Sequence, residues 1–134
     1  MRVLVGDVDG ARSPIAPDTD TTMLDLMLPP RGRVVVPVPP GRTALVFAIA
    51  GDGAAGPEGR EHPLRPDHAL GFGDGDTVRL VAGTEGLHVL LGAGRALRQP
   101  IHWIGGMAMT TPERVEAAAR RFEAGQFGDL EPSF

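Results

Sequence analysis

Glycine or proline interrupts this chain at short intervals from residue 6 to residue 106, leaving segments of about four to nine residues rich in Val, Leu and Ile. Pieces of that length are too short for core helices and match the strands of an all-β sandwich or barrel rather than the longer units of a βαβ fold. The spacing predicts strands at Arg2 to Val5, Thr21 to Leu28, Arg33 to Val38, Thr43 to Ala50, Ala69 to Gly71, Thr77 to Val81 and Leu87 to Leu91. In the second of these Leu24, Leu26 and Leu28 share one face, as burial at period two requires, and Met23 and Met27 share the other. Pro37 and Pro39 belong at an edge or a strand end, because neither has an N–H to give to a ladder. Gly51 to Arg60 reads as a turn and loop, and Phe72 to Asp76 as a tight turn. A glycine-rich loop holds phosphate when it opens a helix, and Gly73-Asp74-Gly75-Asp76 lies between strands, so it is read as a turn.

Helical signals are confined to the end of the chain. Thr111 can cap a helix that starts with Pro112, Glu113 suits the positive end of the dipole, and Val115, Ala118, Ala119 and Phe122 form an apolar stripe. Arg120 and Arg121 fall in the last turn and Gly125 supplies the stop. A length of 134 residues suits one domain. The expected layout is a barrel over about residues 1–105, a helix over about 112–124 and a tail over 125–134.

Composition excludes several classes of function. Without Cys there is no disulfide framework, thiolate zinc site or cysteine nucleophile. All 13 basic residues are Arg, so Schiff-base and P-loop lysine chemistry are absent, and they are scattered, with Arg120-Arg121 the one adjacent pair, which argues against a nucleic-acid partner. The run Ala44 to Ala50 is far short of the roughly 20 apolar residues of a membrane span, and no signal-peptide pattern follows Met1. A soluble cytoplasmic protein with no membrane partner is expected.

The candidates for chemistry are few. The four His residues, 62, 68, 88 and 102, are each at least six positions apart, so a metal site would have to be assembled from distant segments. His62 and His68 stand in polar, turn-like surroundings, whereas His88 lies between Leu87 and Val89 and His102 beside the only Trp, Trp103. His88 and His102 are therefore the acid/base candidates, each with the alternative of a structural hydrogen-bonded histidine. Ser13 and Ser133 lack a nucleophile-elbow setting. Asp18, Asp20 and Asp25, like Asp74 and Asp76, stand in turn-forming contexts. Met23, Met27, Trp103 and Met107 are adaptable apolar side chains that, with His88, are candidates to line a ligand pocket in a barrel.

The stretch from Gly51 to Gly75-Asp76, then Leu91-Gly92-Ala93-Gly94-Arg95-Ala96-Leu97-Arg98-Gln99-Pro100-Ile101, then Gly105 to Glu113, and finally Ala124-Gly125-Gln126-Phe127-Gly128, resembles in order the C-terminal cupin domain of the pirin family. Gly106-Met107 stands where that family has Pro-Phe, and Thr110 where it has Asn. The resemblance implies a cupin-type double-stranded β-helix, a jelly-roll barrel, with a C-terminal α-helix. Pirins resemble bicupins, in which the N-terminal barrel carries iron on three His and one Glu, and this chain resembles the other barrel. Positions matching that barrel's two paired histidines fall near Pro37 and Pro39, which have no ligating side chain, so no metal and no other cofactor is expected.

Three functional readings follow. The first is a metal-free cupin binding a small apolar or aromatic molecule in its barrel, with isomerase or cyclase-type acid/base chemistry as its accessible reaction. The second is a non-enzymatic regulatory or protein-interaction module. The third, with least support from the residues, is a metal-dependent dioxygenase like the quercetin-cleaving pirins. A lone C-terminal barrel would expose the surface its neighbour covers, so a homodimer in which a second copy replaces the other barrel is also expected.

Overall fold

The computed structural model describes residues 1–15 and 17–129. The chain forms β1 (Arg2–Val5), β2 (Asp7–Val8), β3 (Ala11–Arg12), β4 (Thr21–Leu28), β5 (Arg33–Pro37), β6 (Arg42–Ala55), β7 (His62–Leu64), β8 (Ala69–Phe72), β9 (Thr77–Arg95), β10 (His102–Ile104), β11 (Met107–Met109) and α1 (Pro112–Glu123). These elements fall into two compact units, Met1–Ala96 and Leu97–Phe134.

The first unit is an antiparallel jelly roll built around two long bent strands, β6 and β9. Residues Arg42–Gly51 of β6 pair with Leu87–Arg95 of β9, and on that side β4 and β1 extend β9 while β8 extends β6. Beyond the bend, Gly53–Ala55 pair with Leu80–Ala82, and β5 and β7 extend the other half. Sharing two strands lets two sheet halves face each other across one core. That core is made of alternate residues: Leu24, Leu26 and Leu28 of β4, Ala44, Val46 and Ala48 of β6, and Val78, Leu80, Ala82, Leu87, Val89, Leu91 and Ala93 of β9, joined by Val36, Val38 and Leu64. The inward face of β4 is the leucine face that period two predicts.

Two predicted breaks are instead continuous strand. Gly51 to Ala55, read as the start of a loop, belongs to β6, and the segments Thr77 to Val81 and Leu87 to Leu91 are one strand, β9. The glycines that suggested a turn serve a bend. Gly51 has φ +77°, and a Cβ there would collide with the carbonyl oxygen of Gly86, as one on Gly53 would with that of Val81. The register shifts between Ala48 and Ala50 and between Gly51 and Gly53, so the glycines mark bulges where two backbones meet closely. His62, read as a loop residue, lies in β7 opposite Ala55. Pro37 ends β5, which pairs with β9 alone, as an edge position demands. The β2–β3 hairpin escaped the sequence reading, although its Asp9-Gly10 turn, both at positive φ, is the usual two-residue hairpin chemistry.

The second unit is the β10–β11 hairpin with α1 packed against both its strands. Thr111 caps the helix, its hydroxyl accepting from the N–H of Arg114 at 3.3 Å. Val115 and Ala118 are buried, whereas Phe122 is exposed and meets Phe127 edge to face at 5.9 Å between centroids. Gly125, at φ +69°, ends the helix, and the N–H of Gln126 bonds back to the carbonyl of Arg121 at 2.9 Å. Part of the tail read over 125–134, residues 130–134, lies outside the described residues. No described helix is long and apolar enough to cross a membrane.

Candidate functional site

The outward side of the β4–β9–β6 sheet carries the residues left over from core building. In register, Met23 lies opposite Gly92, Asp25 opposite Leu90 and Met27 opposite His88; Gly92 and Leu90 in turn face Leu45 and Phe47 of β6. Met27 is 64% exposed, Leu45 50%, and Met23, Phe47 and Ile49 are each exposed by more than a third. Gly92 and Gly94 add no side chain to the middle of this surface, so it stays low between Met23 and Leu45.

One polar pair interrupts the apolar surface. His88 and Asp25 sit diagonally across the β4–β9 ladder, and His88 Nε2 lies 2.6 Å from Asp25 Oδ1. An ionised carboxylate can only accept, so Nε2 carries the proton and Nδ1 is the imidazole's second site for hydrogen bonding. The side chains are 28% and 15% exposed, covered in part by the apolar neighbours. Arg2 lies opposite Asp25 on β1.

Met23, Met27 and His88 therefore do not line the barrel interior, as expected of pocket residues, because Leu24, Leu26, Leu87 and Val89 take the inward positions beside them. Trp103 and Met107 belong to the β10–β11 hairpin of the second unit, where Trp103 is 66% exposed and pairs with Ala108, and Met107 pairs with Ile104. His102, the other acid/base candidate, pairs with Met109 in that hairpin. Glu113 is held below the usual carboxylate range by its own backbone N–H, then by the Thr111 hydroxyl, with a smaller contribution from the charge of His102. Asp25, which the sequence placed both in the strand Thr21 to Leu28 and in a turn-forming context, is a strand residue. Its partner lies 63 positions away, so pairing left no local trace; the usable signal was one carboxylate between two methionines on the face opposite the leucines.

The barrel interior is filled by its core. Its inward side chains are aliphatic, and among the described residues no three His, Cys, Asp or Glu side chains gather. A cupin metal held by three His and one Glu does not fit these residues. At one end of the barrel a cavity of about 480 Å³ opens between β5, the start of β6 and the Gly73–Asp76 loop, with Val38, Ala44 and Val78 at its apolar base. It lies in the size range of small-molecule sites. Arg42 and Arg79 stand at its sides, each tied to a carboxylate: Arg42 to Asp20 at 2.5 Å, Arg79 to Glu61 at 2.7 Å. Sequence reasoning missed this cavity, whose lining is gathered from residues 35 to 79.

Strand order, core and bend define a cupin-type jelly roll. The Pirin C-terminal cupin domain family model matches residues 23–128, and the chain belongs to that family. It is 31% identical over 129 residues to pirin of Homo sapiens, covering 96% of this chain and 44% of that one, and 28% identical over 120 residues to Pirin-1 of Arabidopsis thaliana, covering 88% and 42%. The chain thus spans under half the length of these relatives. Among solved structures it resembles a quercetin 2,3-dioxygenase from Acinetobacter baumannii, with a TM-score of 0.79 at 23% identity over 96% of this chain and 44% of that one, a likeness of fold.

Proposed function

We propose that this pirin-family cupin domain acts as an interaction module, and that the outward side of its β4–β9–β6 sheet docks a second cupin barrel, supplied by a second copy of the chain. The observation that carries this reading is the surface formed by Met23, Met27, Leu45, Phe47 and Ile49 around the Asp25–His88 pair. Contiguous apolar side chains on a flat sheet face are costly to leave in water, and they mark association surfaces. A two-fold axis through the patch would bring the carboxylate of one copy towards the imidazole of the other, with apolar side chains meeting around them. His88 stands on the outward side of its strand, between the inward Leu87 and Val89, which weighs against isomerase or cyclase chemistry by this residue inside the barrel.

Sedimentation velocity over a wide dilution range tests this. Dimers that dissociate on dilution, and monomers at every concentration for Phe47→Glu, are the expected pair of results. A wild-type monomer at all concentrations would refute it.

A second reading is small-molecule binding, favoured by the barrel-end cavity. It replaces the ligand residues expected from sequence, Met23, Met27, His88, Trp103 and Met107, with a different set and needs no metal. A reaction of the quercetin 2,3-dioxygenase type has only the likeness of fold behind it.

A further inference from the structure

The barrel-end cavity has a composition that selects among ligands. Its apolar part comes from Val38, Ala44 and Val78 at the base and from Val35 and Phe72 at the sides. Such a wall takes an aliphatic or aromatic group of modest size.

The polar part carries both signs. Arg42 Nη2 donates to Asp20 and Nη1 to Thr22 Oγ1 at 3.1 Å. Arg79 Nη1 donates to Glu61 at 2.7 Å and, at 3.5 Å, to the carbonyl of Gly56. Both guanidinium groups are thereby fixed in orientation before any ligand arrives, which lowers the cost of using their other N–H groups. Among the described residues, Nε and Nη2 of Arg79 and Nε of Arg42 make no hydrogen bond to protein. The loop Gly73–Asp76 supplies two further carboxylates, Asp74 and Asp76, that take part in no ion pair among the described residues.

The charge count leaves two carboxylates in excess, which excludes a simple anion, and the unused guanidinium donors separate a zwitterion from a simple cation. Two arginines stand with four carboxylates, Asp20, Glu61, Asp74 and Asp76. A simple anion would meet the two unpaired carboxylates of the loop, and a simple cation would leave the free guanidinium donors unused. A molecule carrying a carboxylate and an ammonium group next to each other, with an apolar side group, satisfies all three parts of the wall.

We infer that the barrel-end cavity binds a small zwitterion of the apolar α-amino acid class, its carboxylate on Arg79 and Arg42, its ammonium on Asp74 and Asp76, and its side chain on Val38, Ala44, Phe72 and Val78. This rests on the small-molecule reading of the cavity and is independent of the docking surface.

The test is an amide-shift titration of the full chain with three probes: L-phenylalanine, 3-phenylpropionate, which lacks the ammonium, and phenethylamine, which lacks the carboxylate. Saturable shifts at Ala44, Gly73, Gly75 and Val78 with L-phenylalanine are expected, with each one-charge probe at least about tenfold weaker. Asp74→Asn combined with Asp76→Asn should weaken L-phenylalanine towards the level of 3-phenylpropionate. Val35→Trp, a change at an exposed position lining the cavity, should block it. If either one-charge probe binds these amides as well as the zwitterion, the ligand class is wrong and the cavity reading survives. If no probe shifts them, the ligand class and the small-molecule reading fail together.

Discussion

The two sides of the β4–β9–β6 sheet are written by alternate residues of the same three strands, yet they are chemically opposed. Inward, Leu24, Leu26, Val46, Val89 and Leu91 are at most 2% exposed, and no charged group joins them. Outward, Met23, Met27, Leu45 and Phe47 are nearly as apolar but stand in solvent around the half-buried, hydrogen-bonded Asp25–His88 pair. The inner side has the size and uniformity of a folding core. The outer side combines exposed apolar side chains with one polar pair, the composition on which the proposed docking of a second copy rests. Folding accounts for one half of the alternation, and the proposed association would account for the other.

This contrast can be broken in order of effect. Truncation on the inner side comes first: Leu91→Ala or Leu24→Ala, at fully buried sites, should cost about 2–5 kcal/mol in chemical denaturation, through lost transfer energy and the cavity left behind. The same chemistry outside, Leu45→Ala, should change monomer stability by about 0.5 kcal/mol or less while weakening self-association. If both sides cost the same in dilute monomer, the distinction fails.

Outside the sheet, Thr111→Ala removes the cap of α1 and should cost about 0.5–2 kcal/mol of helix stability, read by denaturation or by amide exchange in Pro112–Glu123. Smaller still is the effect of acid. Glu61 is held below the usual carboxylate range first by its own backbone N–H and then by Arg79, and Glu113 by its own backbone N–H and Thr111. Because the unfolded chain takes up these protons first, both contributions are complete above the unfolded value near 4.5 and fade as pH falls through the lower folded values. A modest loss of thermal stability below that pH is expected, reduced in Glu61→Gln. Glu61→Gln unfolding with the same acid dependence as the parent would remove Glu61 from the account.

Much of the fold was legible because it is written locally. Period-two leucines placed β4, Thr111-Pro112-Glu113 placed α1, and proline placed the edge β5. The long strands were not, because Gly51, Gly53 and Gly86 are turn residues by composition, and only the meeting of two backbones shows that they bend strands that continue. The site was less legible still. Met23, Met27 and His88 stood out as adaptable or titratable, but which face is core depends on what packs across the barrel, and Asp25 reaches His88 only through the β4–β9 register. The cavity needed Val35, Arg42, Phe72 and Arg79 on one rim, an arrangement made by four different elements.

The most direct test of the outer face uses its own methionines. The chain has five Met residues: Met23 and Met27 belong to the outward face of β4, Met1 precedes β1, and Met107 and Met109 belong to β11. With methyl-labelled methionine and a soluble relaxation agent, the accessibility of each methyl can be followed from dilute to concentrated protein. Selective protection of Met23 and Met27 as concentration rises, abolished by Phe47→Glu, is the predicted result. Accessibility of those two methyls that stays constant over the whole range would contradict the assignment of this face to a second copy.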